Sequence, residues 1–201
     1  MPNSPALSNG DQQPTALQLT MSDDALVTFG EPVGSDGVSF HDIGYMPVNA
    51  TTIAGNIPGL TPRLSNGGLN GVFIQYVSEG VQHFTDGLPT TADYTSLHYQ
   101  LIGYRGDATF GHAADGTPTV NGLMKEFVLA QGDLISGQLA FNASGGISGE
   151  VDVSMQVGGH RVGSMDISVQ HSAPDIGHTA TGGLTLSNGA IIGTFVPLQV
   201  S

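Results

Sequence analysis

The histidines are the side chains of this sequence best suited to do chemistry. Seven occur among its 201 residues: His41, His83, His98, His112, His160, His171 and His178. None has the close spacing of a zinc site. A haem iron needs only one or two axial His or Tyr ligands, and separate loops can supply them, so spacing along the chain need not reveal them. We therefore select His41 with Tyr45, and His83 beside Phe84, as the first candidates, with His41 and His83 as the iron ligands.

His171 is the second candidate for ligand contact. Successive residues of a strand point to opposite faces, so His171 shares a face with Met165, Ile167 and Val169 at the end of a predicted strand. It is either a rim residue or an interior histidine whose polar atoms are satisfied. His98 falls on the opposite, polar face of its own strand and is expected in solvent.

Catalytic signatures are missing from the sequence. It contains no Gly-x-Ser-x-Gly elbow, no glycine loop with a phosphate-binding lysine and no dinucleotide fingerprint. Its glutamates lie far apart, and its Asp-Gly turns lack the ligand series of a calcium-binding loop. We therefore expect a binding protein and not an enzyme.

Charge and composition exclude several kinds of partner. Asp and Glu outnumber Lys and Arg by 17 to 4, for a formal net charge of -13. Nucleic acids require clustered basic residues, and an anionic membrane surface repels this chain. No stretch approaches the roughly 18 consecutive apolar residues of a membrane helix, so no membrane insertion is expected. Because cysteine is absent, disulfides, thiolate metal sites and a lipidated cysteine are excluded.

The elements that position these residues are predicted to be strands. Residues 1–20 carry little apolar pattern and are expected to form a flexible leader. In residues 21–86, Gly and Pro interrupt the apolar residues, which predicts short strands and ordered loops, with a turn or two of helix near Ser22 to Val27. Residues 87–201 contain short strands separated by Gly, Asn and Asp turns. This pattern predicts an all-β antiparallel meander, which a barrel would free of exposed edges.

One hairpin allows its register to be predicted. Residues 150–157 alternate polar and apolar side chains without a break, and residues 161–171 follow as their partner. A two-residue turn would bury serines and an aspartate. A three-residue loop over 158–160 instead pairs Val153 with Met165 and keeps the polar residues in water.

Four short motifs in the C-terminal half resemble a known family. Residues 104–108 read Tyr-Arg-Gly-Asp-Ala, residues 134–139 contain a Gly-x-Leu hairpin run, and glycine-rich runs follow at 182–184 and 193–195. In this order they resemble the β-barrel domain of bacterial surface proteins such as transferrin-binding protein B, factor H binding protein and the secreted haemophilins.

The resemblance implies a fold and a function. It implies an eight-stranded C-terminal barrel over 87–201 and a handle-like N-terminal β region over 21–86 that contacts ligands. It further implies a monomeric protein, secreted or on the bacterial cell surface, that captures and delivers haem, and the lack of cysteine favours a released protein. The alternative is a cofactor-free barrel that binds a host protein or an outer-membrane receptor through its loops.

Overall fold

The computed structural model describes residues 16–65, 68–172, 175–178, 183–187 and 190–198. Within these ranges the elements are β1 (Ala16–Met21), β2 (Asp24–Val33), β3 (Gly37–Ala54), α1 (Thr61–Ser65), β4 (Gly71–Thr85), β5 (Leu88–His112), β6 (Pro118–Phe141), β7 (Ile147–Val157), β8 (His160–His171), β9 (Asp175–His178), β10 (Leu184–Ser187) and β11 (Ala190–Pro197). Most of the leader expected at 1–20 lies outside the described residues, and residues 16–20 belong to β1.

Eight antiparallel strands close into a barrel. The order around the ring is β1-β11-β8-β7-β6-β5-β4-β3, and β3 returns to β1 through pairs such as Leu17 with Ile53. The first half of β3 pairs with β2, which pairs in turn with β10, and β10 pairs with β9. The predicted all-β antiparallel fold with an eight-stranded barrel is confirmed. Strands β1, β3 and β4 complete the same ring as β5, so residues on both sides of position 86 build one sheet.

The segment between β1 and β2 differs from the sequence-based expectation. Ser22 and Asp23 break the strand without forming a helix, so the helical turn predicted near Ser22 to Val27 is wrong. The Ser22 amide donates to the carbonyl of Pro47 at 3.2 Å, and the Asp23 side chain is buried in the barrel. Tertiary hydrogen bonds thus hold the backbone extended at a site where the local sequence favours a helix start.

The β7–β8 hairpin has the predicted pairing but a different loop. Val153 lies opposite Met165, as the alternation required. The loop has two residues, Gly158 and Gly159, with φ of 59° and 82°, so the three-residue loop is wrong. A bulge between Met155 and Gln156 supplies the offset that was assigned to the loop.

One end of the barrel, here called the closed end, is filled with apolar side chains. It lies at the β7–β8 turn and the β3–β4 connection, whose Ile57 and Leu60 are completely buried. The Ile57 amide donates to the Thr61 hydroxyl at 2.8 Å, and this bond fixes the connection at the start of α1. Fully buried strand residues complete the packing: Leu17, Leu19, Met21, Ile74, Leu101, Val153, Met155 and Met165.

The other end, here called the open end, lies at the β2–β3, β4–β5 and β6–β7 turns. The residues that face inward here include Asp42, Ser78, Gln82 and His171, all buried. The two ends of one barrel interior therefore differ in polarity, and the polar end contains the site described next.

Candidate functional site

A cavity of about 280 Å³ occupies the open end of the barrel interior. Its walls are mostly aromatic and aliphatic, with Phe29, Phe40, Phe84, Leu139, Phe141 and Ile147 among them. Pro89 and Gly145 also line it and are exposed, so the cavity reaches solvent between the β4–β5 and β6–β7 turns. Asp42, Gln82 and Tyr94 are its polar lining residues.

A smaller space of about 60 Å³, here called the polar chamber, continues from the cavity toward the barrel centre. Asp42, Tyr94, Leu139 and Ile147 line both spaces, which places them next to each other. The chamber is comparable with the volume of about two water molecules in the liquid. Its polar side chains are those of Asp23, Asp42, Tyr76, Tyr94 and His171.

Strand alternation and register place these side chains inside. Phe40, Asp42, Gly44 and Met46 are alternate buried positions of β3, and Gly44 lies opposite Tyr76 on β4. A Cβ atom at Gly44 would lie 2.6 Å from the Tyr76 ring, so the absence of a side chain there makes room for the phenol. The Tyr76 hydroxyl is thereby held in the chamber.

Hydrogen bonding in the chamber is incomplete. The Tyr76 hydroxyl donates to Oδ1 of Asp23 at 3.1 Å. Asp42 is only 5% exposed, yet its Oδ1 has no partner, and the same is true of the Ser78 hydroxyl opposite it in the ladder. Gln82, by contrast, donates to the carbonyl of Thr91 at 2.9 Å. A buried carboxyl oxygen without a partner is costly, and a bound ligand, ion or water that supplies a hydrogen-bond donor would remove this cost.

The two buried carboxyl groups titrate far from their ordinary range. Burial raises the pKa of Asp23 from 3.8 to about 7, although the hydrogen bond from Tyr76 opposes the rise. Burial also raises the pKa of Asp42 well above 3.8, and the nearby Asp23 carboxylate adds to the rise, although the hydroxyls of Tyr76 and Ser78 oppose it. Because like charges disfavour each other in a poorly solvated space, the pair retains a proton at neutral pH.

His171 lies inside the barrel and lines the polar chamber. It is 5% exposed, and its Nδ1 has no partner. Burial lowers the pKa of its imidazole, so the ring is neutral at neutral pH. Of the two placements that strand parity allowed, the structure has the interior one, with one ring nitrogen left unsatisfied.

The other candidate residues lie on the outer surface, where the barrel wall separates them from His171. His41 is exposed and lies opposite Glu79 in the β3–β4 ladder. His83 has both ring nitrogens next to carboxylates, Nδ1 at 3.4 Å from Asp36 and Nε2 at 3.2 Å from Asp93. An iron bound by His83 would have to displace one of these contacts.

Tyr45 also lies on the outer face, in an aromatic cluster. The Tyr45 ring packs edge-on against the Phe73 ring, with centroids 5.6 Å apart. Phe110 of the β5–β6 hairpin packs against Phe73 as well, with ring centroids 5.5 Å apart. Burial, reinforced by the charge of Glu126, raises the pKa of Tyr45, which disfavours the phenolate that binds haem iron. Tyr45 thus has a packing role in this structure.

Sequence reasoning did not select the carboxyl pair of the chamber. A usable signal existed for Asp42, because it shares strand parity with Phe40 and Met46 and therefore had to be buried with them. No local signal marked Asp23, which lies in a break between strands and becomes buried only when β1 and β3 close the ring.

Comparison with known proteins identifies no family for this chain, because no protein-family model, curated protein or solved structure matches it. Over the described ranges, no helix is long and apolar enough to cross a membrane. In the same part of the chain, no group of three or more His, Asp or Glu side chains is arranged to hold a metal ion. The case for a function therefore comes from the cavity and the polar chamber.

Proposed function

We propose that this protein binds a small ligand inside the barrel, with the apolar body of the ligand in the cavity and a polar group in the chamber. The observation that carries the proposal is the pair of unpartnered buried atoms, Asp42 Oδ1 and His171 Nδ1, at the inner end of an apolar cavity that reaches solvent. A ligand that supplies hydrogen-bond partners there removes a cost that the free protein carries.

The size and lining of the cavity suit such a ligand. Small-molecule sites are typically apolar spaces of about 300–1,000 Å³ with a few convergent polar groups. A space of about 280 Å³ lies near the lower limit of this range. Because an apolar cavity of about 150 Å³ accommodates benzene, the ligand here is expected to carry one aromatic ring or an aliphatic group of similar size with a short extension.

Haem capture and delivery is the specific form of this proposal that the family resemblance implies. The residue that supports it is His171, whose Nδ1 faces the interior without a partner. Because a four-ring haem is larger than the one-ring ligand that a cavity of about 280 Å³ fits, haem at His171 would require the open end of the barrel to widen. Haem bound by His41 or His83 would instead lie on the outer surface. In this form the protein is secreted or surface-exposed and passes haem to an outer-membrane receptor.

The second candidate is a cofactor-free barrel that binds a partner protein. It is favoured by exposed apolar side chains on β6, where Met124 is 85% exposed and Ile135 is 52% exposed. Single exposed apolar residues are common on soluble proteins, so this observation has less weight than the unsatisfied interior.

A blocked cavity tests the interior site. Ala92 lines the cavity, and Ala92→Phe would fill it; Thr91→Phe is the matched control, because residue 91 points to the opposite face of β5. A ligand that binds only the folded protein raises its melting temperature. We expect 4-phenylbutan-1-ol to stabilise the wild type and Thr91→Phe but not Ala92→Phe, with circular dichroism confirming that both variants fold.

Haemin titration separates the forms of the proposal, read as a shift of the Soret band between about 380 and 430 nm. Saturation at one haem per chain that is lost in His171→Ala supports haem in the interior. Loss in His41→Ala or His83→Ala places haem on the surface. If neither haemin nor the alcohol binds, the interior-ligand proposal is wrong and the partner-binding barrel takes its place.

A further inference from the structure

We infer that the ligand is a monocationic amine with an apolar body, whose ammonium group binds between Asp42 and His171 in the polar chamber. This inference rests on the proposed interior site and specifies its ligand class. It is carried by the charges and the unsatisfied acceptors of the chamber, taken together with the apolar walls of the cavity.

The chamber contains acidic groups without a basic partner. Asp23 and Asp42 are both buried, and no Lys or Arg is among the residues that line the cavity or the chamber in the described part of the chain. The four basic residues of the protein are all exposed: Arg63, Arg105, Lys125 and Arg161. A carboxyl pair that holds one proton has a net charge of -1, which one ligand cation neutralises.

The unsatisfied atoms are hydrogen-bond acceptors suited to an ammonium group. Asp42 Oδ1 accepts, and Nδ1 of a neutral His171 accepts in the tautomer with the proton on Nε2. An ammonium group has three donors and no acceptor, so it can satisfy both atoms at once. An alcohol offers a single donor, and a carboxylate would place a third acidic group beside Asp23 and Asp42.

The overall charge of the protein also favours a cationic ligand. The protein has a formal net charge of -13, which attracts cations and repels anions at a distance. We therefore expect the association rate of an amine to fall as the salt concentration rises, and that of a neutral analogue to stay unchanged.

Binding of an amine should also depend on pH. The titratable groups that face the chamber are Asp23, Asp42, Tyr76, Tyr94 and His171. Burial raises the pKa of both tyrosines well above 10, so they remain neutral. An alkylamine, with a pKa near that of lysine at about 10.4, stays charged through neutral pH. Its affinity should therefore rise between about pH 5 and pH 8, as Asp23, whose pKa is about 7, ionises and the carboxyl pair changes from neutral to singly charged.

Three ligands with the same apolar body test the inference: 4-phenylbutylamine, 4-phenylbutan-1-ol and 4-phenylbutanoate. Calorimetric titration of the full chain at pH 8 should give the amine at least about tenfold tighter binding than the alcohol, and the carboxylate the weakest binding. Asp42→Asn should weaken amine binding and leave alcohol binding nearly unchanged, because it removes one carboxylate acceptor while Asp23 keeps a negative charge in the chamber. Glu79→Gln is the matched control, because it removes one negative charge from the outer face of the neighbouring strand.

The pH dependence of binding can be measured on the wild-type protein, so this test does not depend on whether a variant folds. The amine-to-alcohol affinity ratio should fall toward one as the pH is lowered from about 8 to about 5. Equal affinities at pH 8, a ratio independent of pH, or tightest binding of 4-phenylbutanoate would each overturn the amine inference while the interior site stands. Failure of all three ligands to bind would refute the interior site itself.

Discussion

The closed and open ends of the barrel differ in the side chains that fill the interior. At the closed end, Ile57 and Leu60 of the β3–β4 connection are completely buried among apolar residues of the core. At the open end, Asp42 and His171 point inward and line the polar chamber, and each has a buried polar atom without a hydrogen-bond partner. Full burial of one aliphatic side chain contributes about 1.5–3 kcal/mol, whereas an unpartnered buried polar group costs about 1–3 kcal/mol.

The difference assigns stability to one end and binding to the other. Proteins keep locally unfavourable groups chiefly where function requires them, and the closed end supplies the apolar burial that offsets the cost.

The largest effect is expected from removing packing at the closed end. Leu60→Ala should lower the free energy of unfolding by about 3–5 kcal/mol, because Leu60 is 0% exposed and its loss leaves a cavity. Leu139→Ala, at 8% exposure beside the existing cavity, should cost less. Urea denaturation measures both, and equal losses would contradict the division.

Asp23→Asn should stabilise the protein in alkaline solution. Because the pKa of Asp23 is raised from 3.8 to about 7, the folded state holds a proton that the unfolded chain has already lost between these values, so stability falls as pH rises through this window. The shift corresponds to a cost on the order of 4 kcal/mol above pH 7.

The asparagine removes this cost and still accepts the Tyr76 hydrogen bond. We expect Asp23→Asn to gain about 2–4 kcal/mol at pH 8 and little at pH 4, measured by urea denaturation across the pH range. The exposed Asp107→Asn is the control and should change neither value. A variant that follows the wild-type pH curve would show that Asp23 ionises freely.

Gly44→Ala should disturb the chamber with a moderate loss of stability. Its Cβ would lie 2.6 Å from the Tyr76 ring, which must move, at a cost of about 1–3 kcal/mol. Gly111→Ala, where the added Cβ would meet nothing within 4 Å, is the control. The affinity for 4-phenylbutylamine should fall in Gly44→Ala and stay constant in Gly111→Ala. Unchanged affinity in both variants would show that the position of Tyr76 does not affect ligand binding.

The smallest effect is expected at the outer surface. His83 lies between Asp36 and Asp93, which are 58% and 45% exposed, so His83→Ala should change the free energy of unfolding by less than about 1 kcal/mol. Binding of 4-phenylbutan-1-ol should be unaffected. A loss of haemin binding in this variant would move the haem site to the outer face of the barrel.

The sequence predicted the strands and one register better than the site. The alternation over 150–157 determined which residues of β7 and β8 are buried, and therefore Val153 opposite Met165, but it could not reveal the bulge at Met155 and Gln156. The pairing of β1 with β3 joins distant segments, so no local pattern indicated that Ala16–Met21 would close the ring. Asp23 becomes part of the chamber only through this closure.

The positions of the histidines were also only partly predictable from the sequence. Strand parity restricted His171 to an inward or rim position, and the structure places it inside. His41 and His83 were selected by residue type and by their place in residues 21–86, where loops were expected, and neither observation indicates which face of a strand is exposed to solvent. Their outward position follows from the register of β3 and β4.

The most direct test of the account is a map of backbone amide chemical shifts during titration with 4-phenylbutylamine. The account predicts that the largest changes cluster at the open end, around Asp42, Tyr94, Leu139 and His171. The chemical shifts of amides at the closed end, such as those of Leu60 and Met155, should not change. Changes concentrated on the outer face near His41 and His83, or an absence of changes at saturating amine, would contradict ligand binding inside the barrel.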